Sequence, residues 1–267
     1  MIKKWFFALG LLVLLGIWEA QPAAAQLNLL VSPIRVEQKL QPGSSETDII
    51  SVRNEGGRPV RVKVYLEDWQ MDAKGSLTYF RPGRVPQSCA AWLQLNPADF
   101  RVEAGQTREV RFTLTVPPGA KTGTYWAAII FEGLPVEEKV TVQKRIGVLG
   151  RIGVVLYQTV GNPEVKAQFQ DLQVVPDKKG VTFKIAFTNP GQGFVRVKKS
   201  WIAVKNSQGQ EVAKLEIPDI PVLPGGSRDL ELKHEKPLPP GNYQVEAVVD
   251  LGRRELQGRK KPFTVGR

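Results

Sequence analysis

Asn54-Glu55-Gly56-Gly57-Arg58-Pro59-Val60-Arg61-Val62-Lys63 and Asn189-Pro190-Gly191-Gln192-Gly193-Phe194-Val195-Arg196-Val197-Lys198 carry one pattern twice, 135 residues apart. Each opens on an Asn and a glycine-bearing turn, then runs into Val-Arg-Val-Lys. Alternation with a period of two puts successive side chains on opposite faces of an extended chain, so each copy reads as a turn entering a strand with one face buried. The next turns, Asp72-Ala73-Lys74-Gly75 and Asn206-Ser207-Gln208-Gly209, keep an offset of 134. Further on, Val102-Glu103-Ala104-Gly105-Gln106-Thr107-Arg108-Glu109-Val110-Arg111-Phe112 lines up with Val222-Leu223-Pro224-Gly225-Gly226-Ser227-Arg228-Asp229-Leu230-Glu231-Leu232 at 120. A Pro-Pro-Gly turn and a Tyr follow in both copies, Pro117 to Tyr125 and Pro239 to Tyr243. Two copies of one strand and turn order predict two domains of one fold, the first carrying about 15 extra residues between Gly75 and Val102.

The same alternation recurs outward from these copies. Val110, Phe112, Leu114 and Val116 interleave with Arg111, Thr113 and Thr115; Val181, Phe183, Ile185 and Phe187 repeat the pattern, and Tyr243, Val245, Ala247 and Val249 close it. Gln41-Pro42-Gly43, Leu223-Pro224-Gly225-Gly226 and Pro239-Pro240-Gly241 punctuate the runs with residues that accept positive φ or fix it. Short strands at this spacing, with almost no helical periodicity, predict an all-β protein of two tandem immunoglobulin-like β-sandwich domains. The boundary falls near Gly161-Asn162-Pro163, giving residues 26–160 and 161–267, joined by a short linker that allows limited hinge motion.

Residues 1–25 have the three parts of a secretory signal peptide: Lys3-Lys4, the apolar run Trp5 to Trp18, and Ala23-Ala24-Ala25. The run of 14 residues is shorter than the ~20 that span a bilayer, and Pro22 follows it. Cleavage after Ala25 and export to the periplasm or cell surface are the expectation, with no transmembrane segment in the mature chain. The remaining 242 residues hold 35 Lys and Arg against 25 Asp and Glu. Residues 26–160 carry 17 against 13 and residues 161–267 carry 18 against 12. A nucleic-acid binder concentrates its cations on one face, so an excess spread over both halves, in an exported chain, argues against nucleic acid. It suits anionic envelope polymers or membrane surfaces instead.

No motif of catalytic or metal chemistry is present, and a carboxylate-only hydrolase is the one enzyme class the residues leave open, without positive support. Cys89 is the single cysteine and His234 the single histidine. No internal disulfide is possible, zinc sites built on paired His or Cys fail, and Cys89 reads as a small buried residue rather than a nucleophile. There is no Gly-Lys-Ser phosphate loop and no Gly-x-Ser-x-Gly elbow. The expectation is a protein that is not an enzyme and takes no cofactor and no metal.

Two family resemblances follow from particular stretches. Residues 31–157 resemble the N-terminal domain of periplasmic pilus-assembly chaperones, through Ser32-Pro33-Ile34-Arg35 on a first strand and Asn96-Pro97-Ala98-Asp99-Phe100-Arg101-Val102-Glu103-Ala104-Gly105-Gln106 before a strong β-run. The whole mature chain is similar to the two-domain WxL-interacting proteins of bacterial surfaces. That likeness rests on Asp72-Ala73-Lys74-Gly75, Trp92-Leu93-Gln94-Leu95, the stretch from Gly123 to Phe131, and Lys261-Pro262-Phe263-Thr264-Val265. Those surface proteins continue into a membrane anchor, whereas this sequence stops at Arg267.

The chaperone resemblance implies a basic residue on the first strand and another on the last strand of domain one that hold a client's terminal carboxylate. Alternating apolar residues on that last strand complete the client's sheet. Arg35 matches the first position; Gly153 falls nearest the second, and Arg151, two residues away, keeps the same face. Val140, Val142, Ile146 and Val148, within the β-rich stretch 140–156, are the matching apolar set. That stretch is either an exposed edge open to strand addition or a strand paired within the core. Two roles follow. One is a chaperone-like assembly protein binding another envelope or secreted protein by strand addition; the other is a structural or adhesive protein holding peptidoglycan or a surface protein through loops and basic faces.

Overall fold

The computed structural model describes residues 28–136, 150–252 and 255–266. As the alternation predicts, the protein is all-β, with one 3-10 turn at Ala90–Trp92. The first half holds β1 (Leu29–Ser32), β2 (Arg35–Leu40), β3 (Ser45–Asn54), β4 (Val60–Met71), β5 (Leu77–Phe80), β6 (Leu93–Asn96), β7 (Asp99–Val102), β8 (Thr107–Thr115), β9 (Gly123–Pro135) and β10 (Gly150–Val160). The second holds β11 (Gln168–Asp177), β12 (Gly180–Thr188), β13 (Val195–Asn206), β14 (Glu211–Ile217), β15 (Ile220–Val222), β16 (Ser227–His234), β17 (Gly241–Asp250) and β18 (Gln257–Val265).

In the first half a sheet ordered β1-β3-β8-β6 faces one ordered β2-β10-β9-β4-β5, with β7 also on β4. In the second, β11-β12-β16 faces β14-β13-β17-β18, with β15 on β13. Each pair of sheets encloses its own apolar cluster. Ile50, Val52, Phe112 and Leu114 meet Val62, Ile129, Phe131 and Leu156 in one. Phe183, Ile185 and Phe187 meet Ile202, Val204, Val245 and Ala247 in the other. Each fully buried Phe, Leu or Ile contributes about 1.5–3 kcal/mol by leaving water. Cys89 is buried too, and that burial pushes its thiol up, away from the reactive thiolate.

The repeated sequence pattern has a physical counterpart. Asn54, wholly buried, donates from its side chain to the carbonyls of Arg58 (2.7 Å) and Val102 (3.1 Å) and accepts from Gly56 N–H at 2.9 Å. Asn189 does the same with Gly193 (2.8 Å), Val222 (3.0 Å) and Gly191 (3.1 Å). The Asn carbonyls accept from Gly105 and Gly225, at φ +72° and +70°, which a residue with a Cβ adopts only with strain. Thus the two stretches that repeat at different offsets are tied to each other through one side chain. Tyr125 donates to Lys121 O at 3.0 Å and Tyr243 to Pro239 O at 2.8 Å, the tyrosine corner of immunoglobulin-like sandwiches.

A third apolar cluster lies outside both cores. Trp69, Trp126, Ala128, Ile130 and Tyr157 occupy the outer face of the β2-β10-β9-β4-β5 sheet, beneath Val85 and beneath Leu223 and Phe194 of the second sandwich. Tyr157 stacks on Phe194 with centroids 4.8 Å apart and planes 1° apart. The two sandwiches therefore meet through an apolar junction as well as the Gly161-Asn162-Pro163 linker. The unbroken apolar run from Trp126 to Phe131 is the sequence sign of a strand covered on both faces.

Candidate functional site

The first strand of the chain changes sheets. β1 pairs with β3, Val31 opposite Val52; the chain then crosses through Pro33 and Ile34, and β2 runs parallel to β10 with Arg35 opposite Val155. Val155 N–H donates to Ile34 O at 3.2 Å, the first bond on that side of β10. β9 pairs with β10 from Gly150 to Val160. Gly150–Val154 therefore has a neighbour on one side and, among the described residues, no strand on the other. An unpaired backbone edge of this kind is a template for another chain.

The surroundings of that half-edge come from the two faces of β10. Val154 is buried in the first core and Ile152 packs against it. On the outer face lie Arg151 and Gly153; Tyr79 Oη sits 3.0 Å from where a Cβ on Gly153 would be, so the edge is kept thin there. Burial pushes the Tyr79 phenol up. Leu30 and Ile34, 50% and 67% exposed, flank the opening as the chain crosses over.

Arg35 and Arg151 share the outer face, since Arg35 pairs with Val155 and residues 151, 153 and 155 alternate onto one side. They do not converge. Four residues separate their registers, about 13 Å along the strand. Arg151 Nη2 bonds Glu67 Oε1 at 2.7 Å and lies over the Tyr65 ring, leaning towards β4, while Arg35 Nε faces Glu37 Oε1 at 3.2 Å on β2. Val140, Val142, Ile146 and Val148 lie outside the described residues.

The sequence reading missed the group that joins Arg35 to the second sandwich. Glu37 Oε1 also lies 3.5 Å from Nη1 of Arg196, whose side chain is 5% exposed and bonds Asp219 Oδ1 at 2.7 Å. The signal was present in the repeat: Arg61 and Arg196 are equivalent, and Asp99 and Asp219 stand at the same 120-residue offset. Arg61 bonds Asp99 at 2.6 Å and is 54% exposed; its counterpart is buried because the first sandwich covers it. No group of three His, Cys, Asp or Glu suited to a metal occurs among the described residues. No helix among them is long and apolar enough to cross a membrane.

The chain matches no family model and no curated protein sequence. Among solved structures it is similar to the chaperone DraB of E. coli, at 19% identity, 90% of this chain, 96% of that chain and a TM-score of 0.42. It is also similar to the CupB2 chaperone of Pseudomonas aeruginosa (16% identity, 86% and 99% covered, TM-score 0.42). A third likeness is to the complex of the SafA pilin with the SafB chaperone of Salmonella enterica (15% identity, 91% and 99% covered, TM-score 0.43).

Proposed function

We propose that the protein is exported with loss of residues 1–25, folds as domains 26–160 and 161–267, and serves the bacterial envelope as a non-enzymatic, chaperone-like binding module. It captures another envelope or secreted protein by strand addition beside Gly150–Val154. The observation that carries this reading is the sheet change at Pro33 and Ile34, which leaves half of β10 without a second neighbour among the described residues. Main-chain bonds along that edge supply affinity, and alternate side chains of the partner enter beside Ile152 and Val31. β2 already occupies the same lane from Arg35 onward and runs parallel to β10. A partner strand running parallel to β10 therefore ends against Arg35, which places a terminal carboxylate at its guanidinium. Arg151 lies at the other end of the half-edge, near the start of such a strand. The apolar set Val140, Val142, Ile146 and Val148 belongs to this proposal as its continuation before β10.

Capture of envelope proteins from an extract by wild type, Arg35→Ala and Ile34→Asp tests the reading. A charge-assisted bond of this kind contributes roughly 1.5–3 kcal/mol, so Arg35→Ala weakens capture by about ten- to a hundredfold. Ile34 is 67% exposed, so Ile34→Asp leaves the fold intact while setting a charge beside the added strand. Unchanged capture by both variants overturns strand addition and moves the role to loops and basic faces, with peptidoglycan or an anionic polymer as partner.

A further inference from the structure

Between β4 and β5 the chain turns at Asp72–Gly75, with Gly75 N–H donating to Asp72 O at 3.0 Å and Ser76 N–H to Asp72 Oδ1 at 2.8 Å. That bond from Ser76 holds the Asp72 carboxyl below its usual range. The turn does not end in solvent. Asp229 N–H, on the edge strand β16 of the second sandwich, donates to Ala73 O at 2.7 Å. Beside it Arg228, 7% exposed, lays its guanidinium against Gly75, with Nη2 2.6 Å and Cζ 2.8 Å from where a Cβ would stand. Gly75 is at φ +92°, so glycine is required there twice over, by backbone and by space.

The electrostatics of this contact are unusual. Arg228 Nη1 donates to Met71 Sδ at 3.1 Å, and the buried Nε meets no acceptor among the described residues. Burial pulls the guanidinium below its ordinary value, while Asp72, Tyr157 and Asp229 nearby act to keep it charged. A thioether is a weak acceptor, and an unsatisfied buried donor carries its full desolvation penalty. Water would satisfy Arg228 better than the site does. The guanidinium stays only because the turn's backbone bond and the neighbouring apolar junction of Tyr157, Phe194 and Leu223 hold the Asp72–Gly75 turn over it.

We propose that Arg228 and the Asp72–Gly75 turn form an interdomain latch, which holds the two sandwiches at one angle and makes them unfold as a single unit. Closed, it has the Asp229 to Ala73 bond and the packing of the guanidinium on Gly75; open, it gains a hydrated arginine. Two arrangements of opposed merits are what a bistable element needs. The latch stands independently of the strand-addition reading.

The test uses the full mature chain. In wild type, tryptophan fluorescence, to which Trp69 and Trp126 at the junction contribute together with Trp92 and Trp201, and far-UV circular dichroism lose their signals at one urea midpoint. Arg228→Ala separates the two midpoints and raises the scattering radius of gyration. In the double variant Gly75→Ala with Arg228→Ala, the midpoint shift is smaller than the sum of the two single shifts, because the added methyl then meets no guanidinium. Coincident midpoints and an unchanged radius in Arg228→Ala, or additive shifts in the double variant, overturn the latch. If Arg228→Ala does not fold, Arg228→Lys decides the matter, since it keeps charge and stem but lacks the fork; wild-type behaviour there also overturns it.

Discussion

The two sandwiches solve one folding problem alike and one edge problem differently. Both tie a turn to the strand beyond it with a buried Asn, both turn a corner on a Tyr hydroxyl, and both pair an Arg on the strand after that turn with an Asp 23 or 38 residues further on. At the edge they part. In the second sandwich β18 closes the rim of β11 with side chains: Gln257 Oε1 accepts from Phe169 N–H at 2.9 Å, Arg259 donates to Phe169 O at 2.8 Å, and Lys261 donates to Leu172 O at 3.2 Å. In the first, Gly150–Val154 has no such cover among the described residues. A bare strand edge invites pairing, and proteins that do not use one cap it. Among the described residues one repeat carries the cap and the other an uncovered half-edge, so the proposed strand addition belongs to the place where the copies differ rather than to the shared fold.

The largest effect that tests this comparison is on what the copies share. Asn54→Ala leaves the Arg58 and Val102 carbonyls and the Gly56 N–H without their partner, and Asn189→Ala does the same to Gly193, Val222 and Gly191. Each substitution costs about 2–5 kcal/mol in urea unfolding of the full chain. Similar losses at both positions uphold the equivalence of the copies; a loss at one alone breaks it.

A smaller effect separates the first sandwich from the second at high pH. Burial pushes the Tyr157 phenol up to about 12, above the ordinary value of 10.0. The folded state therefore keeps its proton when the unfolded chain has lost it. The contribution is fully present below pH 10 and is lost as pH rises through about 12, a change of about 3 kcal/mol. Stability measured from pH 8 to 12 falls in wild type and falls less in Tyr157→Phe. An identical alkaline decline in the variant shows that the phenol's burial at the junction does not matter.

The smallest expected change concerns the cap itself. Arg259→Ala combined with Lys261→Ala uncovers the carbonyls of Phe169 and Leu172 and costs about 1 kcal/mol. The informative readout is sedimentation: with the rim of β11 bared, the protein acquires concentration-dependent self-association. A variant that stays monomeric at every concentration removes the argument that these side chains protect an edge.

The strands, the turns and the repeat were legible because their causes are local. Alternation in Val60 to Leu66 or Val181 to Phe187 fixes which face is buried, and glycines at positive φ punctuate it whatever lies far away. Arg35 could be singled out on its strand, but its setting could not, because Glu37 beside it also meets the buried Arg196 from across the linker. Nothing in sequence marks Arg61 as exposed and its repeat counterpart Arg196 as buried; only the apposition of the sandwiches decides that. Likewise no period announces that Gly75 faces Arg228, 153 positions on. By itself the sequence determined an all-β chain built twice on one plan, since backbone preference and side-chain alternation act within a few residues. The half of β10 that no described strand covers, the junction of Tyr157 with Phe194 and the Asp72–Gly75 turn over Arg228 were decided by tertiary structure. They depend on which edges and faces meet, and such meetings are selected by burial across long stretches of chain rather than by any local rule.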